Sequence, residues 1–138
     1  MEQQVRYEVE GGTARLTIDR EQARNALSPQ VVQQLLQGLE RADADPSVRC
    51  LVLTGAGSKV FCAGGDLGGM TGDGFLSGHE GRRGYGVLLQ KFQQVKKPTI
   101  ARVNGHALAG GLGLVLACDL AVASADAGFG TPEIDRGL

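Results

Sequence analysis

The chain has 138 residues, 42% of them apolar and 4% aromatic with no Trp, and a formal net charge of −1. That suits one modest domain with an aliphatic core, and excludes the clustered positive field that non-specific nucleic-acid binding needs. No apolar run approaches a membrane span, Met1-Glu2-Gln3-Gln4 lacks the regions of a secretory leader, and three cysteines without a C-x-x-C pair argue against a disulfide framework or zinc site and for a reducing, cytoplasmic setting.

Val5 to Glu10 alternates apolar and polar residues, Gly11-Gly12 turns the chain, and Ala14 to Ile18 alternates again. This pattern predicts a pair of adjacent strands or a hairpin. Ser28 is a good N-cap and Pro29 suits the first helical position. Val31, Val32, Leu35, Leu36, Leu39 and Ala42 then share one helical face, and Asp45-Pro46 ends the helix.

Cys50 to Leu53 is a continuous apolar run, expected as a strand covered on both faces. Gly55 to Gly69 reads as a glycine-rich loop. Gly68 to Gly86, charged and without clear period, reads as a mobile surface segment that contains His79. Val87 to Val95 suggests a helix stopping before Pro98. A strand at 99–103, a glycine turn at 104–113, a helix of about ten residues and a strand at 120–123 follow. Residues 128–133 read as a loop. Alternation of this kind predicts an α/β domain with mostly parallel strands, formed by residues 1–138 as one unit.

The glycine turn Asn104-Gly105-His106-Ala107-Leu108-Ala109-Gly110-Gly111-Leu112-Gly113 lies between a strand and a helix start. Such a turn frees backbone N–H groups at a helix N-terminus, where they hold a phosphate or a developing oxyanion. Phosphate is the poorer match. Gly55-Ala56-Gly57-Ser58-Lys59 lacks the spacing and the Gly-Lys-Ser/Thr ending of a P-loop, and Gly110-Gly111-Leu112-Gly113 does not fit the dinucleotide fingerprint.

Four blocks carry a more specific signal. They are Phe61-Cys62-Ala63-Gly64-Gly65-Asp66-Leu67, Lys97 to Gly111, Cys118-Asp119-Leu120-Ala121-Val122-Ala123, and Phe129-Gly130-Thr131-Pro132-Glu133. In this order and at these spacings the chain resembles the enoyl-CoA hydratase/isomerase (crotonase) family, from about Val5 to its last residue. The resemblance implies the ClpP/crotonase spiral of repeated β-β-α units and an acyl-CoA thioester substrate. Coenzyme A enters as part of that substrate, and no separate cofactor or metal is implied. It further implies a homotrimer or hexamer. Family chains are about twice as long, so this one is expected to be a fragment lacking the C-terminal half of the fold, with apolar surface exposed.

By the same resemblance, the amides of Gly65 and Gly110 hold the thioester oxygen, Ala63, Gly64, Asp66 and Leu67 line the substrate site beside them, and Glu133 is a general acid/base. Read as plain residues, Gly65 and Gly110 are turn glycines, Glu133 is a solvated loop acid, and Asp66 caps a short helix. Family hydratases use a second glutamate, and its position here is Gly113. Water addition needs two such groups, whereas double-bond migration needs one. Isomerisation is therefore the favoured reaction, with hydration still open; a non-catalytic acyl-CoA-binding or assembly module is the competing class. Asp119 is expected to anchor a turn, Cys62 and Cys118 to be buried fillers, and His79 and His106 to be structural or solvated. Lys96-Lys97 is read either as surface charge or as an attraction for coenzyme A phosphates.

Overall fold

A computed structural model describes residues 2–66 and 78–136. The first strands, β1 (Val5–Glu10) and β2 (Thr13–Ile18), pair antiparallel with Glu10 opposite Thr13. Both turn residues have positive φ, Gly11 at 56° and Gly12 at 79°. That is the tight hairpin turn that only glycine enters without strain.

Helix α1 (Pro29–Ala44) starts as the sequence predicts: the Ser28 hydroxyl accepts from the Val31 N–H at 3.1 Å, and Pro29 opens the first turn. Val31, Val32, Leu35, Leu39 and Ala42 are buried, while Leu36 is only partly so. Gly38 packs directly on Leu16, so helix and sheet approach more closely than a larger residue would allow. The helix C-terminus is held by Lys97, whose ammonium donates to the carbonyls of Ala42 and Asp45 at 2.6 and 2.5 Å. A cation there satisfies orphan carbonyls and complements the helix dipole. Lys97 is thus a structural cation rather than a free surface charge.

After α1 the chain repeats a unit. β3 (Cys50–Gly55) and β4 (Val60–Cys62) precede α2 (His79–Gln94). β5 (Thr99–Val103) and β6 (His106–Leu108) precede α3 (Gly110–Ala117). β7 (Leu120–Ala123) and β8 (Phe129–Gly130) precede a 3-10 helix, Pro132–Arg136. The first strand of each unit joins one sheet of order β1-β2-β3-β5-β7, and the second joins another of order β4-β6-β8. Apart from the hairpin, every pairing among the described residues is parallel. The fold class is therefore as expected: α/β, a spiral of β-β-α units.

Five local readings change. The loop at 55–69 contains β4, and the glycine turn contains β6, which carries His106. The final loop contains β8 and the 3-10 helix. These strands are two or three residues long, too short to show a period. Helix α2 begins at His79, inside the segment read as mobile. Gly81, Gly84 and Gly86 lower its propensity and conceal its periodicity. Residues 68–77 of that segment lie outside the described residues. Helix α3 has eight residues rather than ten.

The strand connections are fixed by side-chain amides. The Asn25 side-chain N–H₂ donates to Ala56 O at 3.0 Å and Val60 O at 2.8 Å, and its Oδ1 accepts from the Arg20 N–H at 3.0 Å. Asn104 donates to Gly57 O at 2.9 Å and accepts from the Gly55 N–H at 3.0 Å. Asp119 anchors a turn as expected: its carboxylate accepts from the Thr99 N–H at 2.9 Å and the Asp119 N–H donates to Thr99 O at 2.9 Å, locking the starts of β5 and β7 together.

Apolar side chains stand exposed on the last elements. Leu116, Leu120, Val122, Phe129 and Ile134 are each half or more accessible, and β7 is an edge strand among the described residues. An uncovered apolar edge is a template for association. The isolated chain is expected to self-associate as concentration rises, and Val122→Lys to suppress this. Sedimentation velocity tests it; a monomer at all concentrations would contradict it.

Candidate active site

The strands of the second sheet run parallel, so their carboxyl ends lie together. Cys62, Leu108 and Gly130 end them, and the residues that follow are those singled out from sequence. The Leu27 N–H donates to Gly64 O at 2.7 Å, the Asp66 N–H to Leu27 O at 2.8 Å, and the Ala63 N–H to Arg24 O at 3.1 Å. The Gly64 N–H donates to the Cys62 sulfur. Four neighbouring amides are thereby committed, while the Gly65 N–H has no partner among the described residues.

The Ala109 N–H donates to Gly130 O at 3.0 Å, tying the start of α3 to β8. Gly110 is the first residue of α3, and no side chain caps that end. Its N–H is one of the orphan donors of a helix start, where the dipole favours negative charge. Ala109 has φ 54° and ψ −123°, a conformation costly for a residue with a Cβ.

The two loops touch. A Cβ on Gly64, where φ is 94°, would lie 2.7 Å from Ala109 Cβ and 3.1 Å from Gly110 N. A Cβ on Gly111 would overlap the Cys62 carbonyl oxygen and lie 2.8 Å from its carbon. Glycine at 64 and 111 is what lets the β4 end and the α3 start meet.

Glu133 lies in the 3-10 helix after β8 and is partly buried. Its Oε2 is shut off from solvent and accepts no hydrogen bond among the described residues. It is thus not the solvated loop acid of the plain reading. Asp66 pairs with Arg20 at 3.0 Å, and Arg20 also donates to Ala26 O at 2.8 Å. That pair pins the segment after Gly65. Leu67, and any helix that Asp66 would cap, lie outside the described residues.

The structure adds Tyr85. Its hydroxyl donates to Gly110 O at 2.7 Å. Burial, with the Cys62 sulfur and the Glu133 carboxylate nearby, pushes its pKa up to about 12. Sequence reading passes over it because it sits among the glycines of α2. The available signal is the helical spacing of Gly81, Tyr85, Leu88 and Phe92.

Cys62 is fully buried and its thiol is pushed up to about 12 by desolvation, against a weaker opposing hydrogen bond from Gly64. It is a neutral filler near neutral pH. Cys118 is also raised to about 12 by burial, though it is only partly enclosed. His106 is structural: Nδ1 accepts from the Gly128 N–H at 2.9 Å. Among the described residues no His, Cys, Asp and Glu group could hold a metal ion, and no helix is long and apolar enough to cross a membrane.

The raised groups fix a stability trend. The folded chain keeps Cys62, Cys118 and Tyr85 protonated up to about pH 12, whereas the unfolded chain begins to release these protons near pH 9. Their contribution is complete below pH 9 and declines as pH rises towards 12. Unfolding midpoints from circular dichroism should fall between pH 9 and 11; a flat profile would refute the trend.

Fold and site together define an α/β domain of stacked β-β-α units, with a glycine-rich junction at the carboxyl ends of parallel strands. The chain belongs to the enoyl-CoA hydratase/isomerase family, whose sequence profile matches residues 8–138. It is 37% identical over 135 residues to the short-chain-enoyl-CoA hydratase of Clostridium acetobutylicum, covering 95% of this chain and 50% of that protein. It is 38% identical over 135 residues to the crotonyl-CoA hydratase of Syntrophomonas wolfei, covering 95% and 50%. The crystal structure of an enoyl-CoA hydratase/isomerase from Xanthobacter autotrophicus superposes with a TM-score of 0.90 at 34% identity, covering 99% of this chain and 52% of that one. The chain thus spans about half the length of the relatives it matches.

Proposed function

We propose that this chain carries the acyl-CoA site of an enoyl-CoA isomerase. The observation that supports this most is the pair of uncommitted amides, Gly65 and Gly110, on touching loops, together with a buried carboxylate oxygen without a partner on Glu133, which acts electrostatically on the Tyr85 that binds Gly110. In the proposed reaction the thioester oxygen of a 3-enoyl-CoA accepts from both amides. Glu133 takes a proton from the α-carbon, the electron pair delocalises into a dienolate, and the charge rests on the thioester oxygen. The same proton returns to the γ-carbon, giving the 2-enoyl-CoA. One oxyanion donor contributes about 3–4 kcal/mol to lowering such a barrier. Two fixed donors make the dienolate reachable.

Gly113 favours isomerisation because it offers no second carboxylate. It also favours a second reading, a module that binds acyl-CoA without turnover. Assembly into trimers belongs to the proposal, as the family implies. The test is a product assay of the full chain with 3-enoyl-CoA and 2-enoyl-CoA. Isomerisation that depends on Glu133 supports the enzyme; tight binding without turnover of either supports the module.

A further inference from the structure

Position 113 is not simply empty. A Cβ there would overlap the Tyr85 hydroxyl oxygen and lie 3.3 Å from Cζ. Tyr85 reaches this place from α2, and its only proton is committed to Gly110 O at 2.7 Å. The phenol oxygen keeps its lone pairs, so it can accept a hydrogen bond but not donate another. It also fixes the first turn of α3, whose opening amide is the proposed oxyanion donor.

We propose that Tyr85 takes the place of a side chain at position 113, leaving the site with a phenol and one carboxylate, and that this pairing selects double-bond migration over water addition. This rests on the reading of the site given above. Water addition places a hydroxyl oxygen on the β-carbon and a proton on the α-carbon, which requires water to be oriented and deprotonated. A neutral phenol is no base at neutral pH, as its pKa of about 12 dictates. Migration recycles a single proton through Glu133 and needs no second base. Tyr85 is therefore a specificity-determining residue that acts by its volume and its hold on Gly110.

Three measurements test this. The first is a stability cycle. In the Tyr85 chain, Gly113→Ala should lower the unfolding midpoint, because it evicts the phenol. In a Tyr85→Ala background it should raise the midpoint, since alanine suits a helix better than glycine. The same sign in both backgrounds overturns the proposal. The second uses tyrosine absorbance, which is clean because the chain has no Trp and two Tyr. On a Tyr7→Phe background at about pH 10.5, tyrosinate should rise from roughly 3% to roughly three quarters on adding Gly113→Ala, with far-UV circular dichroism retained. No rise overturns the proposal.

The third is product partition. The ratio of 3-hydroxyacyl-CoA formation to isomerisation should rise at least about tenfold in Tyr85→Ala/Gly113→Glu. An unchanged ratio in the double variant overturns the selection. Absence of turnover in the unmodified chain would overturn the enzymatic reading and the selection with it, while the stability cycle still decides whether Tyr85 holds the place.

Discussion

Glu133→Gln is expected to reduce isomerisation of 3-enoyl-CoA by roughly 10²–10⁴-fold with little change in KM. The amide keeps the size and shape of the carboxylate but cannot accept a proton from carbon. Because Oε2 has no hydrogen-bond partner among the described residues, the substitution breaks no structural bond at that oxygen. A merely structural Glu133 would show the reverse, with a lower unfolding midpoint and intact kcat. Stopped assays at saturating substrate, alongside circular dichroism, separate the two. Retention of activity within about tenfold would remove Glu133 from the chemistry, since a general acid–base group contributes at least 10²-fold.

Gly111→Ala should be nearly as damaging, by a different route. The added carbon meets the main-chain carbonyl of Cys62, and β4 cannot yield without losing its pairing to β6. The start of α3 must therefore retreat from the Gly64–Gly65 loop. An oxyanion donor displaced by about 1 Å costs on the order of 10²-fold, and its complete loss 10²–10³-fold. Overpacking adds about 1–3 kcal/mol of destabilisation. The decrease should fall on kcat more than on binding, because the amides act most strongly on the charged intermediate. Wild-type kcat in a folded Gly111→Ala chain would show that the junction of β4 and α3 does not govern turnover.

Local sequence was a good guide where a single element carries its own signals. The glycine pair, the Ser28-Pro29 start and the apolar stripe of α1 specify their structures through turn chemistry, capping and period. The strands read at 50–53, 99–103 and 120–123 declare themselves by short apolar or β-type runs. The candidate site residues at the strand ends are named by the resemblance of four blocks rather than by physics alone, since a glycine in a loop is chemically silent until its N–H direction is known.

What sequence determined by itself is the order of elements, the parallel α/β class and the short list of residues after the strands. The tertiary structure alone decided that β4, β6 and β8 form a second sheet, because strands of two or three residues exist only through partners far along the chain. It alone placed Lys97 on the end of α1 and Tyr85 in the space left by Gly113. A hydrogen bond and excluded volume between α2 and α3 join Tyr85 to residues 25 and 28 positions away, a relation that no local period or propensity encodes.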